Sequence, residues 1–259
     1  MKKIIKRNHF LHPKFLVIIP THNHPETLEY AILSVLQQSY KDFRLVVICD
    51  GITEETREVT NKFTNVKRIS ILEFPKSPRF GEEYRDFVIR NYPSRYITYL
   101  GDDDLFLSNH LKVMSVELQK YDFSHPLPVY VTKDRQAALF TRTNLRDKEW
   151  VKWHIEGPPY KNSISLTGVT HSRKVYLSLN QGWSTTPDNR WADHFMWSKF
   201  FSLGGIRLST AEFSTTIKSP QQFFNKDERR EHIRYYFNKL KEESFSDSWN
   251  IEIGKIKSN

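Results

Sequence analysis

The chain has few cysteines, few glycines and no long apolar run. Its 259 residues include one cysteine, Cys49, and nine glycines. A single cysteine cannot form an intrachain disulfide and fits a reducing compartment, and the lack of a Cys cluster disfavours a zinc site. No run of about 18 apolar residues and no signal peptide is recognisable. We therefore expect a soluble cytoplasmic protein, at most peripheral to the inner face of a membrane.

Positive charge and aromatic side chains are plentiful. The chain has 39 Lys and Arg against 30 Asp and Glu, a net charge of +9, with 18 Phe, 12 Tyr and 6 Trp. That charge suits a nucleoside diphosphate, a phospholipid surface or a nucleic acid, and does not distinguish among them. The length fits one domain with a substantial core.

The rest of the chain is organised around residues 96–106. Residues 96–100 are mostly aromatic, apolar or β-branched and predict a buried strand that ends at Gly101, and Asp102, Asp103 and Asp104 follow directly. In open α/β sheets this edge binds ligands, and hard divalent cations link carboxylates to substrate phosphates. The triplet is interpreted as a metal–diphosphate site, or alternatively as a solvated acidic turn at the start of the next helix.

Three earlier apolar runs predict further strands, at 15–20, 44–49 and 68–72. Helices are predicted from Pro25, from a cap at Thr53 and near 81–92. Successive β-α units predict a right-handed, doubly wound parallel sheet. The polar turns that end its strands should then meet in one cleft: Thr21–His24, Asp50-Gly51 and Asp102–Asp104.

In the second half of the chain, the pattern of apolar residues is less regular. It predicts short strands at 128–131 and 137–140 in a hairpin, and another strand at 163–170. Helices are predicted at 109–121, 190–201 and 227–243.

Four motifs in this order resemble the large family of inverting glycosyltransferases with the GT-A fold, the family 2 type, which includes bacterial polysaccharide and lipopolysaccharide synthesis enzymes. The motifs are Val17–Asn23, Val46–Gly51, Tyr84-Arg85-Asp86 and Tyr99–Asp104. The resemblance covers residues 14–110 well and 160–220 loosely. It implies an α/β fold with a mostly parallel, Rossmann-like central sheet flanked by helices and a smaller mixed sheet on the acceptor side.

The resemblance also implies a domain organisation. It implies one GT-A domain over 1–259, with a nucleotide-sugar-binding half at 14–110, an acceptor-side half at 111–220 and a C-terminal helical extension at 221–259.

The resemblance implies a role for each residue of this chain that matches a functional position of the family. Asp50 would accept a hydrogen bond from the nucleotide base. The nucleoside would be lined by Pro20, Thr21, His22 and Asn23. Arg85, Asp102 and Asp103 would contact the sugar nucleotide. By the family's Asp-x-Asp pattern, Asp102 and Asp104 would hold Mn²⁺ or Mg²⁺. The sequence departs from the family pattern at five positions, Cys49, Ile52, Asp86, Gly101 and Ala192.

The resemblance further implies a catalytic base in the second half. The segment Trp191–Trp197 is the best match to the family's motif of an acidic pair followed by aromatics, so the resemblance implies Asp193 as the base. Desolvation among aromatic rings also raises the pKa of a carboxylate and makes it a better base. Asp188 is the fallback, although it also fits an N-cap of the same helix. His171 and Trp191 are expected on the acceptor side.

The implied activity is transfer of a sugar, with inversion, from a UDP-, GDP- or dTDP-linked donor to a saccharide, glycolipid or other hydroxyl acceptor. No nucleic-acid partner is expected. Two alternatives stay open. A nucleotidyltransferase would share the strand-end carboxylates, although the first loop, Thr21–Pro25, lacks its glycines. A non-catalytic binder of nucleic acid or membrane would use the basic 227–243 helix, although acids interleave with its bases.

Overall fold

The computed structural model describes residues 12–127, 129–139, 143–157, 164–219, 225–242 and 244–258. The strands are β1 Phe15–Thr21, β2 Phe43–Asp50, β3 Ile69–Phe74, β4 Tyr96–Tyr99, β5 Leu105–Phe106, β6 Phe123–His125, β7 Val129–Val131, β8 Ala137–Leu139, β9 Thr170–Ser172, β10 Leu208–Thr210 and β11 Thr216–Ile217. The helices are α1 Pro25–Leu36, α2 Glu54–Asn61, α3 Glu82–Asn91, α4 His110–Lys120, α5 Lys148–Glu156, α6 Arg173–Leu177, α7 Ala192–Phe201, α8 Lys226–Lys239 and α9 Phe245–Ser258.

Seven strands form the central sheet, in the order β10-β6-β9-β4-β1-β2-β3. The run β4-β1-β2-β3 is parallel, and β9 pairs antiparallel with both β4 and β6. Residues 15–19 of β1 are fully buried, as expected for a strand covered on both faces. The predicted mostly parallel sheet is confirmed.

Helices cover both faces of this sheet. On one face α1, α2 and α4 contribute apolar side chains such as Leu28, Val59 and Met114. On the other face α3, α6 and α7 contribute Val88, Tyr176 and Trp197. This arrangement confirms the doubly wound pattern that successive β-α units predict.

Two small antiparallel sheets lie beside the central one. One is the predicted hairpin of β7 and β8, whose predicted ends Pro128 and Phe140 lie outside the described residues. The other pairs β5 with β11, and its two-residue strands carry too short a pattern to be predicted. A third apolar cluster joins the hairpin and β11 to α8 and α9 through residues such as Ile233 and Trp249.

Three predictions in the second half need correction. The strand expected at 163–170 is irregular over 164–169, and only Thr170–Ser172 pairs in the sheet. The helix expected from Arg190 begins at Ala192, after Trp191 as N-cap, and the helix expected over 227–243 ends at Lys239. The final helix α9 lies in the segment expected to form a C-terminal helical extension, although no bounds were predicted for it. Among the described residues, no helix has the length and apolarity needed to span a bilayer.

Candidate active site at the strand ends

The strands β4, β1 and β2 are parallel neighbours, so their C-terminal ends share one edge of the sheet. The turn after β1 contacts the turns on both sides. His22 Nδ1 donates to the carbonyl oxygen of Asp50 at 2.7 Å, and His24 Nδ1 lies 3.0 Å from Oδ1 of Asp102. The three polar turns predicted to converge therefore lie together, with His22 and Asn23 exposed and Thr21 buried.

Asp50 is held by the segment that follows β3. Its Oδ2 accepts hydrogen bonds from Lys76 Nζ and Ser77 Oγ, each at 2.8 Å, and its Oδ1 accepts from the Ser77 backbone N–H. Burial alone would raise the pKa of Asp50, but the bonds from Lys76 and Ser77 outweigh it and lower that pKa. A side chain on Gly81 would place its Cβ 3.3 Å from this carboxylate, and the φ of +69° there also favours glycine. The Asp50 carboxylate is therefore held in one orientation, and its lowered pKa favours the ionised form.

The three carboxylates after β4 have different surroundings. All are buried, and Asp104 is the most enclosed. Asp104 Oδ1 accepts from the backbone N–H of Ser219 at 2.9 Å, while its Oδ2 accepts from Thr167 and lies 3.4 Å from Lys218 Nζ. Both oxygens of Asp104 thus have protein donors.

The carboxylates of Asp102 and Asp103 accept fewer hydrogen bonds from the described residues than Asp104 does. Among the residues that the structure describes, only Oδ1 of Asp102 is paired, with His24, and this hydrogen bond raises the pKa of the imidazole. Within the described ranges no hydrogen bond to the Asp103 carboxylate is present, and burial, followed by the charge of Asp104, raises the Asp103 pKa well above its usual range. Such a carboxylate is stabilised as an anion by any cation that approaches it.

A divalent ion fits these two carboxylates only if the substrate supplies further ligands. No group of three or more His, Cys, Asp or Glu side chains in the described part of the chain is arranged to hold a metal. Mg²⁺ commonly takes one or two protein carboxylates together with phosphate oxygens and water. The free oxygen of Asp102 and the carboxylate of Asp103 meet that requirement, whereas Asp104 is already engaged.

Asp193 lies in the first turn of α7 and is half-buried. Its carboxylate is close enough to act on two cations: burial lowers the pKa of Arg85 and Asp193 partly opposes this, whereas Asp193 adds to the charges of Asp104 and Asp103 that raise the pKa of Lys218. Because Lys218 contacts Asp104, the predicted base and the acidic strand end lie on the same side of the molecule.

Arg85 is 6% exposed, and its guanidinium lies 4.8 Å from the ring centre of Trp183. Its Nε and Nη1 have no hydrogen-bond partner among the described residues. Burial lowers the pKa of this guanidinium, and the charges of Glu82, Asp193 and Asp50 partly oppose that effect. Two unpaired buried donors are costly unless a ligand accepts from them.

The two residues expected on the acceptor side and the fallback base do not lie together. Trp191 is 55% exposed, beside Asp193. His171 is fully buried instead, since its ring stacks on Phe123 and Tyr99 Oη donates to its Nε2. Asp188 is almost wholly exposed and pairs with Arg79; it is not the N-cap of α7.

Sequence reasoning missed Lys76, Ser77 and Lys218. The first two follow β3, so the rule that strand ends bind ligands had already marked their position. No local pattern marks Lys218, because only the pairing of β11 with β5 brings it to Asp104.

The comparisons with known proteins agree with this geometry. The sequence profile of Glycosyl transferase family 2 matches residues 16–174, which is more than half of the chain. A glycosyltransferase of Haemophilus influenzae is 29% identical over 172 residues, covering 66% of this chain and 58% of that protein. One from Rickettsia felis is 34% identical over 114 residues, covering 43% of this chain and 19% of its own. The Escherichia coli UDP-Glc:alpha-D-GlcNAc-diphosphoundecaprenol beta-1,3-glucosyltransferase WfgD is 28% identical over 110 residues, 42% of each chain.

Solved structures share the fold at low identity. Staphylococcus aureus TarS 1-349 with UDP-GlcNAc superposes with a TM-score of 0.61 at 14% identity, covering 80% of this chain and 58% of TarS. The mannosyltransferase PcManGT of Pyrobaculum calidifontis with GDP-Man and Mn²⁺ gives 0.54 at 13% identity, covering 80% and 56%. The chain has the GT-A fold and belongs to glycosyl transferase family 2.

Proposed function

We propose that this chain transfers a sugar from a nucleoside diphosphate to an acceptor hydroxyl with inversion at the anomeric carbon. The observation that carries the proposal is the meeting of Asp50, the acidic triplet and Asp193 around one sheet edge. In the step, the bond between the anomeric carbon and the diphosphate oxygen breaks, and its electron pair leaves with the diphosphate. The acceptor oxygen forms the new bond, and its proton passes to Asp193.

The nucleoside would lie over the ends of β1 and β2, lined by residues 20–23. Asp50 Oδ1 accepts one hydrogen bond and keeps a lone pair for an N–H of the base, and its lowered pKa keeps it ionised. The hydroxyl of Thr21 is buried and has no partner in the described structure, so it suits a nucleoside oxygen. TarS was solved with UDP-GlcNAc and PcManGT with GDP-Man, which supports a UDP- or GDP-linked donor ahead of a dTDP-linked one.

Asp102 and Asp103 would hold a divalent ion, Mn²⁺ or Mg²⁺, in preference to Asp104, whose oxygens are engaged. Such an ion would supply positive charge to the leaving diphosphate. The PcManGT complex contains Mn²⁺, which supports this assignment. The two unpaired donors of Arg85 suit the same diphosphate or the sugar hydroxyls.

The acceptor would approach Asp193 from the side of Trp191, whose exposed ring offers a stacking face for a saccharide. WfgD is named for a diphosphoundecaprenol-linked acceptor, which supports a role in polysaccharide synthesis on a lipid-linked saccharide. Transfer to such an acceptor would bring this protein to the inner face of the membrane as a peripheral partner.

A thermal-shift panel of UDP-, GDP- and dTDP-sugars, each with and without Mn²⁺, tests the donor assignment. A ligand at about 100 times its dissociation constant stabilises the folded state by about 2.7 kcal/mol, so the true donor should raise the melting temperature by several degrees. The rise should be larger with Mn²⁺. A melting temperature that no sugar nucleotide changes, with or without the ion, would refute the proposal.

A further inference from the structure

Lys218 is brought to the acidic strand end by strand pairing. β11 runs antiparallel to β5, with Ile217 opposite Leu105. The next pair along the same register is Lys218 with Asp104, the last carboxylate of the triplet. The backbone N–H of Ser219 then donates to Asp104 at 2.9 Å, which fixes this segment against the site.

The ammonium of Lys218 is surrounded by negative charge, but among the described residues Asp104 is the one hydrogen-bond partner of its Nζ. Its Nζ lies 3.4 Å from Asp104, longer than the 2.7–2.9 Å usual for a charge-assisted bond. The carboxylates of Asp104, Asp103 and Asp193 all act on this ammonium. A third of the side chain, 34%, remains exposed. Lys218 therefore retains N–H donors for an anion that enters from solvent.

A nucleoside diphosphate needs such a cation at this position. The three carboxylates after β4 repel a diphosphate, and His24 and Lys218 are the cationic side chains that contact them in the described structure. The family profile ends at residue 174, so nothing in the matched region assigns a role to Lys218.

We propose that Lys218 binds the diphosphate of the donor and stabilises it as it leaves, so that the protein itself supplies part of the positive charge. The inference rests on the proposed function. A divalent ion on Asp102 and Asp103 would act beside Lys218, and the contribution of Lys218 would be largest where that ion is absent.

The experiment measures the binding of UDP, UMP, GDP and GMP by calorimetry, in EDTA and in Mn²⁺, to the wild type, Lys218→Met and Lys218→Arg. A hydrogen bond to a charged group contributes about 1.5–3 kcal/mol, so Lys218→Met should weaken diphosphate binding roughly 10-fold or more. Monophosphate binding should change by less than about 3-fold, because the β-phosphate is the group that Lys218 contacts. Lys218→Arg should retain most of the difference between diphosphate and monophosphate.

The matched control is Lys120→Met. Lys120 is an exposed lysine at the end of α4, immediately before β6, and so lies at the sheet edge opposite the site. The Lys120→Met substitution removes the same charge as Lys218→Met and should leave the affinities for UDP, UMP, GDP and GMP unchanged. If Lys218→Met does not fold, the double variant Lys218→Met with Asp104→Asn is compared with Asp104→Asn alone, since the double variant removes the Asp104 carboxylate together with the cation that contacts it.

Two results would overturn the inference while the proposed function stands: diphosphate binding as tight in Lys218→Met as in the wild type, or equal losses for monophosphate and diphosphate. A wild type that binds neither diphosphate in either buffer would refute the proposed function and this inference together.

Discussion

At the residue scale, the charged side chains of the candidate site differ in how fully the described residues pair them. Asp104 is enclosed by protein donors, whereas Asp103 and Arg85 have polar atoms that no described residue pairs. Buried polar groups without partners cost free energy, so they indicate positions where a ligand belongs. The sequence placed the three carboxylates at a strand end, but it could not distinguish Asp104, which accepts from Thr167 and Ser219, from Asp102 and Asp103, because Thr167 and Ser219 are distant in sequence.

The metal assignment gives the first prediction. Asp102→Asn and Asp103→Asn should each abolish the increase in nucleotide-sugar affinity that Mn²⁺ produces, measured by calorimetry. Asp104→Asn should keep that increase but lower the melting temperature, because it disturbs the bonds from Ser219 and Thr167. An Mn²⁺ effect that survives in the first two variants and disappears in Asp104→Asn would contradict the assignment.

The base gives the second prediction. Asp193→Asn should cut turnover by roughly 100-fold or more, the scale on which general-base help acts, while donor affinity stays near that of the wild type. The control is Asp134→Asn, an exposed acid in the hairpin turn. A folded Asp193→Asn protein that keeps near-normal transfer would show that another group takes the proton.

Buried histidines give the third prediction. Burial lowers the pKa of His171 to about 3, so the folded state binds this proton less readily than the unfolded chain does. The stability that depends on neutral His171 is complete above about pH 6.5 and falls by about 1.4 kcal/mol per pH unit below it, toward pH 3. Urea unfolding between pH 7 and 5 should show that decline, and His171→Gln should reduce its slope. An unchanged slope in the variant would contradict this account.

At the element scale, the strands and helices of the first half follow from local patterns. Continuous apolar runs gave β1 to β4, and Pro25 and Thr53 marked where α1 and α2 start. The strands β5, β6, β10 and β11 contain only two or three residues each, too few for a period to appear. Their pairing is long-range, which explains why the second half was predicted less well and why His171 was expected in a pocket rather than in the core.

The packing of α8 on α1 gives the fourth prediction. Arg229 Nη2 lies 3.0 Å from Glu26, whose side chain is 1% exposed, and this pair joins the two helices. Arg229→Met should destabilise the fold by about 3–5 kcal/mol, because it leaves a buried carboxylate without a cation. Adding Glu26→Gln should restore much of the loss in urea unfolding. If Arg229→Met costs no more than the double variant, the pair does not stabilise this contact.

At the scale of the whole molecule, residues from distant parts of the chain are brought to one site by the way its elements are connected. The first half supplies three parallel strand ends, α7 supplies Asp193, and the segment after β11 returns to supply Lys218. The net charge of +9 suited several anionic partners, and the strand-end carboxylates are what favour a diphosphate bridged by a cation.

The most direct test of the central claim follows the anomeric carbon itself. The donor identified by thermal shift is incubated with the protein and Mn²⁺, with water as acceptor, and the first-formed sugar is observed by proton NMR before its anomers equilibrate. Inverting transfer predicts that an α-linked donor releases the β anomer first, together with the nucleoside diphosphate, and that Asp193→Asn slows this release. Initial formation of the α anomer, or release of a nucleoside monophosphate instead of the diphosphate, would contradict the account.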